Sequence, residues 1–491
     1  MAVQSQAWAL SGGLDLISPA LQMPPGKAIL AQNYECAMTG GYRRIDGYTI
    51  YDGRSNGTHL AVAGSGPIRG VWEYNNVVYA FRNNAGGSAC VMHKSTSSGW
   101  AVVSTPTLSP NGNFEFINHN FTGHSGSLKM FGCDGINKAF QFNGTTLSFL
   151  TTGMTTDTPS HIGVHKNHLF LSFTGGSVQH SGVGNPASWN LVTGAGEIGI
   201  GTEVTGFSSM KGDSLAITGI NQISILYGAS ASDWNLKLFS PAIGAVARTN
   251  GQMDSDLYFF NGDDLSSLTA TQAFGDFESA SVSAVVKPFI DARKNNIVGA
   301  TVNRDKNQYR LFFDDKSVLV GTIINRQVVG FTTWRLEHTP SFITEKYMGC
   351  TDGSVMYMDN GVSFNGTAIQ SYLRLPFTSF NTPHRKKRFR KATLELEAGS
   401  QATLDYLADY DYGSGGSSSG AQATVYGGGG FWDVANWNNF VWSSAVVASA
   451  EAYLNGSGMN ISLLIVHSSA TDPAFTLQGV QLNYSLRGLN R

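Results

Sequence analysis

Apolar positions along this chain come in short runs, alternating or continuous, set apart by Gly, Asn and Asp turns. Val77-Val78-Tyr79-Ala80-Phe81, His168-Leu169-Phe170-Leu171-Ser172-Phe173 and Gln308-Tyr309-Arg310-Leu311-Phe312-Phe313 are typical. Their length and their β-branched and aromatic content predict strands. A helical period is nearly absent, and only Pro25 to Ala37 suits one short helix. From about residue 66 the runs recur every roughly 35–45 residues as strand, tight turn, strand and often a closing Trp. Trp100, Trp189, Trp234 and Trp334 are such closings. About seven units fit between residues 66 and 370, which predicts an all-β fold, a β-propeller of about seven or eight blades. Continuous apolar runs are expected where neighbouring blades cover both faces of a sheet. A run of hairpins in a β-sandwich is the alternative, and the recurrent closing Trp favours the propeller.

The pattern changes near residue 380. A basic run passes directly into the alternating strand Ala392 to Glu397, and Asn460 to Val466 and Phe475 to Tyr484 read as two further strands. Three parts are therefore expected: an N-terminal arm over 1–65, the propeller over 66–375 and a C-terminal β-sandwich-like domain over 376–491.

Composition narrows the class. Of 491 residues, 42% are hydrophobic but only 13% charged, about half the usual share, and 58 are glycine. An isolated enzyme ordinarily carries more charge for solubility, so a protein covered by partners is expected. The net charge of −2 gives the whole molecule no attraction for nucleic acid. Four scattered cysteines without a C-x-x-C pair predict free thiols in a reducing cytoplasm. Neither a signal peptide nor a run of about 18 apolar residues is found, so no membrane span is expected.

Catalytic motifs are missing. His161, His165 and His168 straddle a strand–turn–strand, where blade-edge positions explain them better than a metal site. G-x-S-x-G occurs around Ser55 and Ser418, each time without the helix a nucleophile elbow needs. Asp213, Asp233, Asp254, Asp256, Asp263 and Asp264 are the acids a glycosidase propeller would draw on, but turn duty explains them better. No catalytic residue, metal ligand or cofactor is expected.

Two basic features remain. Arg385, Lys386, Lys387, Arg388, Arg390 and Lys391 supply six charges in seven residues. Strand alternation would set Arg385, Lys387 and Lys391 on one side, and Lys386, Arg388 and Arg390 on the other with Leu394 and Leu396. A solvated face, ion pairs to a neighbouring subunit and a DNA-facing ring are the three readings. Upstream, Arg43 and Arg44 sit between glycines and aromatics, as turn arginines or as a docking contact of the N-terminal arm.

Gly12-Gly13-Leu14, Asn33 and the segment Gly41-Tyr42-Arg43-Arg44-Ile45-Asp46-Gly47-Tyr48 resemble the opening of the tail nozzle proteins of short-tailed bacteriophages, the tail tubular protein B family. Phe431-Trp432-Asp433, Trp437 and Gly479 to Arg491 look like C-terminal segments of phage structural proteins. The resemblance implies a non-enzymatic virion protein of the tail, assembled in the host cytoplasm as a homohexameric ring below the portal and adaptor. It implies contacts with the head-to-tail adaptor ring, with tail fibres or a spike or needle, and with double-stranded DNA passing through without sequence readout. Gly413, Gly415, Gly416 and Gly420, or Gly427, Gly428, Gly429 and Gly430, are then candidate gate loops, since glycine backbones rearrange with little steric resistance. The main rival reading is a carbohydrate-binding or carbohydrate-cleaving propeller of a tail fibre or spike, and a second is a cytoplasmic propeller scaffold that binds proteins.

Overall fold

The computed structural model describes residues 3–19, 22–210, 214–228, 230, 232–268, 281–398, 401–413, 419–426 and 447–489. Antiparallel sheets dominate, and the one α-helix among these residues is the short Lys287–Asp291. None of their helices is long and apolar enough to cross a membrane.

Seven blades follow one another along the chain. Their first strands are Ser65–Tyr74, Glu115–His119, His161–His165, Val204–Met210, Gly251–Met253, Ile297–Asn303 and Pro340–Ile343. Neighbouring first strands lie side by side, and the seventh meets the first, so the ring is closed. Most blades have four strands, and among the described residues the fifth has three. The seventh takes its fourth strand from far upstream: Tyr48–Ile50 pairs with Val355–Met358, Thr49 opposite Tyr357.

Hydrophobic burial between blades holds the ring. Phe81 and Met92 of blade one meet Phe114 and Phe140 of blade two. Phe170 of blade three meets Leu215 and Ile217 of blade four. Val355 of blade seven meets Val71 and Val78 of blade one. Second strands are covered on both faces, which is why His168–Phe173 and Gln308–Phe313 are buried throughout. Asn75-Asn76 and Asn325-Arg326 turn their hairpins with both residues at positive φ, the two-residue geometry that matches strand twist.

The second unit is a pair of sheets. One has the order Tyr34–Cys36, Tyr42–Arg44, Phe475–Leu489, Arg385–Ala398, Val447–Gly458, with Gln4–Ala9 also paired to Phe475–Leu489. The other runs Leu30–Gln32, Ile369–Arg374, Ile461–Ser469, Gln401–Tyr410, Ser419–Tyr426. Leu394 and Leu396 of the first sheet share a core with Leu404, Tyr406 and Ile465 of the second. The same core continues into Tyr309, Leu311 and Phe331 of blade six. Leu30–Gln32 completes the join, Gln32 pairing in parallel with Thr333 of that blade.

Three expectations change. Residues 1–65 are no separate arm, because their strands build both sandwich sheets and close blade seven. Ile369–Arg374, expected in the propeller, belongs to the sandwich. Between Pro25 and Ala37 two strands replace the expected helix: Asn33 takes φ 58°, and sheet partners on both sides override the local pattern.

Candidate functional site

The Gly-Tyr-Arg-Arg-Ile-Asp-Gly segment lies where propeller and sandwich meet. Arg44 is fully buried. Its guanidinium donates to the carbonyls of Val362 at 2.8 Å, beyond blade seven, and of Ser469 at 3.1 Å and Asp472 at 2.5 Å in a sandwich turn. Arg43 points the other way and binds Glu35 at 2.6 Å and Asp46 at 2.7 Å. Lys306, from a turn of blade six, reaches the same Glu35 and Asp46 and also Asp359 at 2.8 Å. Arg310 binds Asp359 at 2.6 Å and lies over the Trp334 ring, 4.5 Å from its centroid. Three bases thus face three acids. Burial alone would raise the Asp46 and Asp359 carboxyls, but Arg43 and Lys306 bring Asp46 below its ordinary value, and Arg310 with Lys306 holds Asp359 far below. The flanking glycines are required by close approach. A Cβ on Gly41, at φ 92°, would strike the Leu477 carbonyl oxygen, and one on Gly47 the Ser363 carbonyl oxygen.

The propeller axis is the second polar site. All seven first strands line a cavity of about 420 Å³. Arg248, at φ 63°, precedes blade five and extends across the axis to blade two, where it donates to the Asn113 carbonyl at 2.8 Å. Its Nε lies 3.7 Å from Glu115 Oε1. That same oxygen is 2.8 Å from His161 Nδ1. Burial would raise the Glu115 carboxyl, but His161 and Arg248 outweigh it and hold it below its ordinary value. A carboxylate kept ionised accepts hydrogen bonds and is a poor proton donor.

The basic strand Arg385–Ala398 departs from simple alternation. A bulge at Arg390 shifts the register, Phe389 facing Tyr484 and Lys391 facing Asn483. Lys387 and Phe389 are therefore buried on the side that continues through Ala392, Leu394 and Leu396, while Arg388 and Arg390 are exposed. This corrects the expected faces, in which Arg388 shared the side of Leu394, and it removes Lys387 from any outward contact. The one extra residue inverts the side-chain phase. Lys387 Nζ donates to the carbonyls of Thr382, Arg385 and Met459 at 2.7–3.0 Å. Burial, with Arg385 nearby, depresses its pKa to about 8. Lys391 pairs with Glu451 at 2.5 Å.

The remaining expected positions are scattered. Gly413, at φ 76°, closes a turn after Gln401–Tyr410, and Gly420 lies in Ser419–Tyr426. Gly415, Gly416, Ser418, Gly427 to Gly430, Phe431, Trp432, Trp437 and Asp213 lie outside the described residues. Asp263 pairs with Lys294 and Asp264 with Lys287, at blade-five turns away from the axis. His168 Nδ1 contacts the Ser181 carbonyl, away from His161 and its carboxylate. Sequence reasoning missed Glu115, Arg248 and Asn250, because they converge from separate blades without a local motif. The positions of polar residues at the start of blades were the available signal.

No family model matches the chain, and no curated protein matches it. Solved propellers do. A streptogramin B lyase aligns with TM-score 0.43 and 12% identity, over 63% of this chain and 96% of that one. A virginiamycin B lyase from Staphylococcus aureus gives 0.41 and 10%, over 61% and 97%. BamB from Moraxella catarrhalis gives 0.38 and 10%, over 72% and 97%. These likenesses concern the fold alone. The protein is a seven-bladed β-propeller built into a β-sandwich.

Proposed function

We propose that the protein is a structural subunit of a short-tailed phage tail, the nozzle, working as a ring through which the genome leaves the particle. The observation that supports this most directly concerns the segment with the family resemblance. Gly41 to Tyr48 is the joint that locks propeller to sandwich, so the shared residues serve rigidity rather than a reaction. A stiff subunit of low charge suits a mechanical role within an assembly. Arg248 bridges the propeller axis, so duplex DNA would run through the opening of the ring and not through any single propeller. The exposed Arg388 and Arg390, with the half-buried Lys386, are the candidate contacts to a neighbouring subunit or to that DNA.

Electron microscopy of the purified protein, alone and with its adaptor ring, tests the reading. Hexameric rings, or recovery of the chain from virions in six copies per particle, are expected. A protein that stays monomeric or trimeric in the presence of the adaptor overturns it, as a fibre or spike propeller would behave. Replacing Lys386, Arg388 and Arg390 by Ser blocks ring formation if they are subunit contacts. It leaves rings intact and alters DNA ejection if they face the duct.

A further inference from the structure

We propose that the outward face of the strand Arg385–Ala398 and its neighbours docks onto the same face of a second copy, turned end for end. A two-fold contact pairs copies and cannot itself close a ring, so it goes beyond the ring reading, and either can fail alone.

The strand is graded in charge. Ala392, Leu394 and Leu396 point into the sandwich core. The outward positions are Lys386, Arg388, Arg390 and Lys391, then Thr393, then Glu395 and Glu397, and all are exposed or half-buried. The neighbouring strands carry the pattern on. Ser485 faces Arg388, and the exposed Arg487 follows it at the basic end. Glu451 is exposed opposite Thr393, at the middle.

A face that is only solvated gains by interspersing its charges, because opposite charges on adjoining strands pair in place. Here Lys391 does so, with Glu451 at 2.5 Å. Among the described residues no ion pair engages Arg388, Arg390 or Arg487, nor Glu395. Glu397 accepts only from the Gln478 amide, at 3.1 Å. Tyr453, directly opposite Lys391, is 78% exposed, although large apolar side chains are mostly covered in this molecule. Tyr and Arg are the side chains that most often anchor protein interfaces.

The grading selects the partner. Glu395 lies about 23 Å along the strand beyond Arg388. A nucleic acid tracking the cations would run onto the two carboxylates, and an acidic protein would be repelled by the same half. A surface that meets both halves must be graded in the opposite sense. A second copy, rotated by half a turn about an axis across the strands, offers this, with basic half on acidic half twice over.

Sedimentation velocity on the full chain, at about 100 µM and low salt, tests this. Wild type is expected as a dimer, or as paired rings where rings form, and the pairing should weaken as salt is raised. Arg388→Glu with Arg390→Glu should abolish it, and so should Glu395→Lys with Glu397→Lys, since like charges then face one another. Mixed in equal amounts, these two variants should pair with each other. A chain carrying all the reversals should pair with itself, and either rescue shows that the variants are folded. Tyr453→Ser should weaken wild-type pairing about ten-fold. Unpaired wild type at this concentration overturns the proposal, as do variants that pair like wild type, or folded variants that fail to pair when mixed. Unpaired wild type that binds a duplex or single-stranded oligonucleotide, with loss in Arg388→Glu/Arg390→Glu, assigns the cations to nucleic acid instead. Hexamers without pairing overturn this contact and leave the ring reading standing, whereas pairing without rings, even with the adaptor present, does the reverse.

Discussion

The guanidinium of Arg248 lies 2.8 Å from the backbone carbonyl of Asn113, on the opposite side of the propeller axis. Blades two and five are thereby tied directly, and the approach of Arg248 Nε to Glu115 Oε1 at 3.7 Å adds to the tie. Arg248→Met removes this tie and one neighbour of the Glu115 carboxylate. Both side chains are partly exposed, so the expected loss is modest, about 1–2 kcal/mol in urea unfolding. Adding Glu115→Gln should cost less than the sum of the single changes, because the two groups interact.

Arg44→Met should be far more damaging than Arg43→Met. Three carbonyls lose their buried charged donor in the first case, and an expected loss of about 3 kcal/mol follows. Arg43 is partly exposed, and Glu35 and Asp46 keep Lys306 as a partner, so about 1 kcal/mol is expected. Limited proteolysis distinguishes the roles further: only Arg44→Met should loosen the sandwich from the propeller before global unfolding.

Acid should act on the joint through Asp359 and Asp46. Both carboxyls sit below their ordinary values in the folded protein, so the unfolded chain takes up protons first as pH falls. Their stabilisation is complete above the ordinary carboxylate range, about pH 4, and is lost progressively below it. Lys306 is raised by Glu35, Asp359 and Asp46 against the effect of burial, so its contribution is lost only in strong alkali. Asp359→Asn should flatten the melting temperature between about pH 5 and pH 2 relative to wild type.

Lys387 should produce the opposite slope at the alkaline end. Burial lowers its pKa from 10.5 to about 8. Between these values the unfolded chain holds the proton that the folded protein has released, so stability rises with pH across that window. Melting curves should show this rise in wild type and lack it in Lys387→Met. Isotope-edited NMR of the lysine side chains should find one group titrating near pH 8, and a Lys387 signal titrating near pH 10.5 would refute the prediction.

The blades were legible because their physics is local. A six-residue run such as His168–Phe173 must be covered on both faces, and Asn75-Asn76 supplies the turn that a hairpin needs. The sandwich was only half legible. Arg385–Ala398 announces itself as a strand, but its bulge at Arg390 depends on the register with Tyr484 and Asn483, which no neighbouring residue encodes. The N-terminal strands were hidden for the same reason at longer range. Tyr34, Glu35 and Cys36 are strand residues because Tyr42 to Arg44 pair with them and Leu477 lies beyond, and the intrinsic preference of the segment was overridden. Glu115, His161, Arg248 and Asn250 could not be grouped from sequence, since ring closure alone brings them together.

The strand Tyr48–Ile50 pairs with Val355–Met358, and Gln4–Ala9 pairs with Phe475–Leu489. Gln4–Ala9 and Tyr48–Ile50 therefore cannot settle as they leave the ribosome. At about 5–20 residues per second Gln4–Ala9 waits roughly 25–100 s for Phe475–Leu489 to be synthesised. Blades one to six can condense in order during that interval, while Gln4–Ala9 must stay unpaired and free of misplaced sheet contacts. A nascent chain cut short before residue 475 would display Gln4–Ala9 with nothing to receive it, so translation through Phe475–Leu489 is the step that commits this sheet to its shape.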